Sequence, residues 1–472
     1  MKARLFALLA LTLAIPAFAQ VTSPKEIKTP PLRAINMPQP TRVQLDNGMV
    51  ILMMEDHELP LIRVVANTRG GERNVPASKA GLAGILGQAW RTGGTQSKTG
   101  DELDDFLESR AAILETNGDD DSTAVILNVL KGDFDTTFPI FLDLLRNPAF
   151  RQDKIDLAKT QLNTGISRRN DEPGEILGRE LTKLGYGPNS PYAMQAEYAT
   201  VASITRDDLL AFHKQFVHPN NIVLAIGGDF DSATMEKKLR EAFASWARGP
   251  QVPPPPMEMA PAKPGVYFVA KSDVTQANIG LVEPGIQRNN PDYFAVAVMN
   301  QILSGGFSGR LMEHLRSQRG LTYGVGGGIG APWDYPGLFR ITMATKSGTT
   351  LESVEALRQE VKSLRSEAFT AAELRHAKES ILKKFVFSMD SRQKVLSQAA
   401  ILEFYGFPLD YFQKYPSNIE KVTAEDVARV ANKYTNPDQL AILVVGNEKD
   451  FEKPLSTLGT VTPVDITIPE LG

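Results

Sequence analysis

"SKAGLAGILGQAWRTGGT", residues 78–95, decides how the rest of this chain is read. Gly81-Leu82-Ala83 opens the stretch, Gly93-Gly94-Thr95 closes it, and the span between reads as a helix. Inside that helix stand Gly84, Gly87 and Gln88. A glycine within a helix costs roughly 1 kcal/mol relative to alanine. The frame is kept while its interior positions offer no acid, base or strong metal ligand.

Around this stretch the chain has 472 residues, enough for two or three domains with proper cores. Hydrophobic residues make up 42% and charged residues 22%, as in an ordinary soluble globular protein. The net charge of −4 carries no basic excess that would mark a nucleic-acid binder. Met1-Lys2-Ala3-Arg4, an apolar run from Leu5 to Ile15, and Ala17-Phe18-Ala19 have the three parts of a secretory signal peptide. Cleavage after Ala19 would begin the mature chain at Gln20 and place it outside the cytoplasm, in the periplasm of a bacterium. No later segment reaches 18 apolar residues, so no membrane span is expected. With no cysteine, neither disulfides nor a cysteine-linked lipid anchor is available.

Two long segments copy each other. "TRDDLLAFHKQFVHPNNIVLAIGGDF" starts at Thr205 and "TAEDVARVANKYTNPDQLAILVVGNEKDF" at Thr423. Both place Asp three residues after Thr, as an N-cap followed by an N3 acid. Both place an aromatic at plus eleven (Phe216, Tyr434) and a proline at plus fourteen (Pro219, Pro437). The apolar runs that follow read as buried strands. Upstream, "FRQDKIDLAKTQL" from Phe150 parallels "FTAAELRHAKESIL" from Phe369. The whole is a module of roughly 215 residues used twice. Between the copies, seven prolines from Pro250 to Pro264 make a stiff linker. The expected organisation is residues 34–248, linker 249–264 and residues 265–470. The expected fold class is α+β: two homologous domains, each a sheet with packed helices, together one half of a clamshell.

The duplicated α+β module, the "GLAxxLxxxxxxGGT" frame, "LRNPAF" at 145–150, "YGPNSPYA" at 186–193 and "SGGFSGRLMEHLRSQRGLTYGV" in the second half resemble, as a set, the pitrilysin/insulinase family of zinc peptidases. That family includes the mitochondrial processing peptidases. Its active members hold zinc with the two histidines of His-x-x-Glu-His and a later Glu, the motif Glu being general base. Carried over by position, the first His is Gly84, the base Gly87 and the second His Gln88. The later Glu falls at Thr164 or Gly165. None of these can replace the group it stands for. The five histidines, His57, His213, His218, His314 and His376, form no alternative set; His213 and His218 read as solvent-facing or capping residues.

What the resemblance leaves in place is Arg316 and Tyr323, seven apart in "GRLMEHLRSQRGLTYGV". In the family such an Arg/Tyr pair reaches bound peptide at the scissile bond. The residues agree: a helix from about Ser308 should end at Gly320, a strand should start near Thr322, and both side chains can then share one rim. Arg319 reads as a structural turn residue, "SGGF" (304–307) as a flexible approach to the helix, and "GVGGGIG" (324–330) as a strand needing close backbone approach, with a peptide one candidate neighbour. The resemblance therefore implies a pseudo-peptidase subunit with no metal of its own. A homologous zinc-bearing subunit would complete a heterodimeric metallopeptidase, and unfolded peptide would bind along a sheet edge. The alternatives are an inactive scaffold or peptide-binding protein of the same fold and, less favoured, an autonomous metallopeptidase.

Overall fold

The computed structural model describes residues 37–255 and 257–470; the expected leader, residues 1–19, lies outside them. Asn47-Gly48 turns β1 (Thr41–Gln44) back onto β2 (Val50–Glu55), with Gly48 in the left-handed region at φ +89° and the Leu45 N–H donating to the Met49 carbonyl at 2.9 Å. With β3 (Leu61–Arg69), β4 (Ile113–Gly118), β5 (Ser122–Leu130) and β6 (Ile222–Gly228) these strands form a six-stranded sheet in the order β1-β2-β6-β3-β5-β4. The second sheet comprises β7 (Gly265–Ala270), β8 (Gln276–Pro284), β9 (Val325–Ile329), β10 (Leu338–Lys346), β11 (Ala441–Gly446) and β12 (Val461–Pro463), in the order β12-β7-β11-β8-β10-β9.

The duplication is visible in the topology. β2-β6-β3-β5-β4 and β7-β11-β8-β10-β9 are the same five-stranded arrangement, each with one parallel pair, β2/β6 and β11/β7. Only the sixth strands differ: β1 runs antiparallel to β2 and β12 parallel to β7. The copied sequence signals explain the match. Thr205 and Thr423 each accept from the N–H of the acid three residues on, and that acid accepts from the threonine N–H in return. The boxes start the helices Arg206–Phe216 and Ala424–Tyr434, which feed the buried strands β6 and β11. Paired lysines repeat too: the Lys159 ammonium donates to the Ala202 carbonyl at 3.3 Å, and that of Lys378 to the Glu420 carbonyl at 2.8 Å.

Each half lends a helix to the other. The helix Pro173–Tyr186, from the first half, buries Ile176, Leu177, Leu181 and Tyr186 against β7, β8, β10 and β11 of the second sheet. Gly280 of β8 leaves room there: a Cβ would lie 2.2 Å from a Leu181 methyl, which would have to move aside. In return the helix Arg392–Tyr405 packs on β2 and β6. A buried cation also joins the halves. The Arg73 guanidinium bonds both Asp334 oxygens at 3.0 and 3.2 Å and stands 2.7 Å from Asp121 at an angle outside hydrogen-bonding geometry. It lies over the rings of Tyr192 and Tyr335. Among the described residues no helix is long and apolar enough to cross a membrane.

Candidate functional site

The motif helix is Leu82–Thr92. Its start is fixed by Gly81 at φ +100° and by the Glu72 carboxylate, which accepts from the Gly81 N–H at 2.5 Å and the Ala83 N–H at 3.0 Å. A carboxylate there satisfies otherwise orphaned donors and meets the positive end of the helix. Burial nevertheless pushes the Glu72 carboxyl above the usual carboxylate range, and these two hydrogen bonds oppose it. Leu82, Ile85, Leu86, Ala89 and Trp90 turn inward to the core.

Gly84 and Gln88 lie on the exposed face of this helix, and Gly87 is buried beneath it. A Cβ on Gly84 would meet nothing within 4 Å. A Cβ on Gly87 would lie 2.3 Å from the Gly118 nitrogen and 2.7 Å from the Asn117 carbonyl carbon, and one on Gly118 would lie 2.0 Å from the Ala83 oxygen. Helix and β4 thus cross backbone to backbone through two glycines. Thr116 of β4 seals the crossing: its hydroxyl accepts from the Arg91 N–H at 3.1 Å and donates to the Gly87 carbonyl at 2.6 Å. The Arg91 guanidinium adds a bond to the Leu114 carbonyl at 3.0 Å. Thr164 and Gly165 sit exposed on the companion helix Gln152–Arg168, where the Thr164 hydroxyl is spent on the Thr160 carbonyl of its own helix.

Burial corrects the solvent-facing part of the reading from sequence: His213 and His218 are 9% and 4% exposed, while His218 keeps the capping role through its Nε2, which donates to the Gln215 carbonyl of the last helical turn at 3.1 Å. The apolar face of the helix Arg206–Phe216 carries His213 inward, edge-on to Trp90, with its Nε2 donating to the Leu145 carbonyl at 2.9 Å. Burial depresses its pKa to about 4, so the ring is neutral.

The rim in the second half is built differently. Gly306–Ser308 form a short turn, and Met312–Gln318 wind as a wide π-helix rather than the regular helix expected from Ser308. Gly320 ends it at φ +64°; its N–H donates to the Arg316 carbonyl, and that of Leu321 to the Leu315 carbonyl. The strand begins at Val325, not near Thr322, because Thr322 is tied down as a turn. Its hydroxyl accepts from the Gly324 N–H and donates to the Ala344 carbonyl, while Leu321 is buried. Tyr323, between these anchors, is turned outward at 83% exposure. Arg316 stacks over the ring of Phe307 at 4.9 Å, and Phe307 is itself 75% exposed. Among the described residues no carboxylate stands within ion-pair distance of Arg316, whereas Arg319 pairs with Glu352 at 2.9 Å. Phe307 was not legible as a site residue; the flexible reading of "SGGF" hid an aromatic with a partner.

The glycine strand β9 approaches its own chain. A Cβ on Gly327 would collide with the Arg340 carbonyl and one on Gly328 with the Asn300 amide. On the outer edge of β9, Asn300 bonds both the N–H and the carbonyl of Ile329 at 2.9 Å, and Ser304 accepts from the Gly327 N–H at 3.0 Å. At these positions the outer edge of β9 is capped by its own chain.

Comparison with known proteins accounts for the paired fold. Residues 62–191 match the model of insulinase (peptidase family M16), and residues 203–381 that of the peptidase M16 inactive domain. The chain belongs to the M16 insulinase family. The non-peptidase homolog YmxG of Helicobacter pylori is 25% identical over 403 residues, 84% of this chain and 92% of that protein. The uncharacterized zinc protease YmxG of Bacillus subtilis is 20% identical over 359 residues, 76% of this chain and 86% of that protein. Among solved structures, a peptidase M16 inactive domain from Pseudomonas fluorescens superposes with a TM-score of 0.79 at 26% identity, covering 89% of this chain and all of that one.

The residues at the positions of the zinc ligands do not fit a zinc ion. Two glycines, an amide, and a threonine or glycine supply no imidazole or carboxylate, and no group of three or more potential ligands occurs among the described residues. The Gly87–Gly118 crossing goes further, since a side chain at the base position requires helix and strand to separate.

Proposed function

We propose that this chain is the zinc-less subunit of a two-chain M16 metallopeptidase, pairing with a zinc-bearing homologous subunit and presenting Arg316 and Tyr323 to the peptide. The observation that carries this reading is the contrast between the two sites. At the Gly87 position the motif helix is closed against β4, whereas Tyr323 is held outward by anchored neighbours and Arg316 rests on an exposed phenyl ring with no acid among the described residues to neutralise it. A guanidinium and a phenol hydroxyl are suited to a carbonyl that becomes an oxyanion. Zinc and its water would belong to the partner. Export to the periplasm, with cleavage after Ala19, is part of the same proposal, because such a complex would act on unfolded peptides outside the cytoplasm.

The test is reconstitution. When this chain restores peptide turnover to a zinc-bearing homologue, Tyr323→Phe and Arg316→Ala should each lower kcat, by up to about 10²–10³-fold, while assembly is unchanged. Tyr323→Phe removes one hydroxyl and almost no packing. Wild-type turnover by both variants would make the pair structural and leave the chain a scaffold.

A further inference from the structure

A cleft of about 690 Å³ lies between the helices Tyr293–Ser304, Ala371–Phe387 and Tyr411–Lys421 of the second half and the crossing helix Arg392–Tyr405. It adjoins β9 at Gly327, and none of Gly84, Gly87, Gln88, Arg316 and Tyr323 lines it. Two cations line it, Arg288 and Lys384, and none of its lining residues is acidic, although the chain as a whole carries a net charge of −4.

Arg288 is held in an unusual way. Its guanidinium lies 4.2 Å from the ring centre of Tyr293 and 4.4 Å from that of Trp333, and its Nε donates to the Tyr411 hydroxyl at 3.1 Å. Stacking fixes the plane of the fork and occupies its faces. Among the described residues no carboxylate lies within ion-pair distance of it, and its two terminal nitrogens have no hydrogen-bond acceptor. Lys384 has only the Gln301 amide oxygen, at 3.4 Å. The rest of the wall is Trp333, Phe385, Phe412 and Ile401, beside the Gln398 amide. An oriented guanidinium, a second free cation and an apolar wall within one cleft match a carboxylate attached to an aliphatic or aromatic group.

We propose that this cleft is a carboxylate-binding subsite for peptide: Arg288 and Lys384 take the anionic group, and Trp333, Phe385 and Phe412 receive the neighbouring side chain. The proposal rests on the peptide-handling reading above. The carboxylate has two sources, the free end of a chain or an acidic side chain, with the same chemistry.

Fluorescence polarisation on the isolated chain tests it with three labelled glycine-serine peptides ending in Leu-Phe: one with a free terminal carboxylate, one amidated, and one amidated but carrying an internal Glu. The free acid should bind about tenfold or more tighter than the acid-free amide. Recovery of affinity by the internal Glu would show a site for any carboxylate, and no recovery a site for chain ends. Arg288→Gln should lower affinity for the acid to that for the amide. Lys384→Gln, at an exposed position where folding is not at stake, should lower it in the same direction. Equal binding of acid and amide, absence of binding, or wild-type affinity in both variants overturns the subsite. No zinc-bearing partner is present in this measurement. Loss of the subsite while mixing still restores turnover would leave the proposed function standing, and carboxylate-dependent binding without restored turnover would overturn only the function.

Discussion

Gly84 and Gly87 are three residues apart on one helix and answer to opposite rules. Nothing surrounds a Cβ at Gly84, so Gly84→Ala should stabilise the protein by roughly 0.5–1 kcal/mol through helix propensity. At Gly87 the same methyl would meet the β4 backbone, so Gly87→Ala should destabilise by about 1–3 kcal/mol. Urea unfolding of the two variants decides; equal shifts of the same sign would contradict the crossing. The sequence showed that the ligands were missing but not that the Gly87 position was closed, because Gly118, the other half of the crossing, is distant in the chain and has no signal of its own. His213 makes a second residue-scale prediction. Its pKa is about 4 when folded, against an ordinary 6.5, so the unfolded chain binds the extra proton between those values. Stability should therefore be intact above about pH 6.5 and decline towards pH 4, by up to about 3 kcal/mol from this group. The difference in pH profile between wild type and His213→Gln isolates it; parallel profiles would contradict a buried neutral ring.

At the scale of elements, the readable parts were those specified locally. The Thr205 and Thr423 capping boxes, the Asn47-Gly48 turn and the Gly320 stop each act within a few residues, and the structure places helices, hairpin and terminus there. Features that depend on distant partners were not readable. The inward face of Arg206–Phe216 buries His213, the helix after Ser308 is wound wide, and Thr322 is held as a turn by the Ala344 carbonyl. The motif helix also depends on a distant carboxylate. Glu72→Ala would strand the Gly81 and Ala83 N–H groups in a mostly buried setting, at a cost of about 1–3 kcal/mol. Hydrogen exchange should show faster opening at Ala83 to Leu86, with β7–β12 unaffected; unchanged protection there would remove Glu72 as the cap.

For the whole molecule, the duplication could be read from repeated spacings, but the exchange of helices between sheets could not, since an apolar helix face does not name the sheet it will cover. Leu181 and Leu396 lie on the opposite half's strands, and Arg73 bonds Asp334 across the join, so neither half has a complete core without the other. Such a body holds a rim fixed without needing a catalytic centre of its own, as the proposed zinc-less role requires. The most direct measurement is hydrolysis of a fluorogenic peptide by this chain alone and with a zinc-bearing M16 homologue, alongside metal analysis of each. This chain should contain no stoichiometric zinc and show no turnover alone, and the mixture should turn over more peptide than the homologue by itself. About one zinc per chain, with turnover by the isolated chain that chelation abolishes, would contradict the zinc-less role.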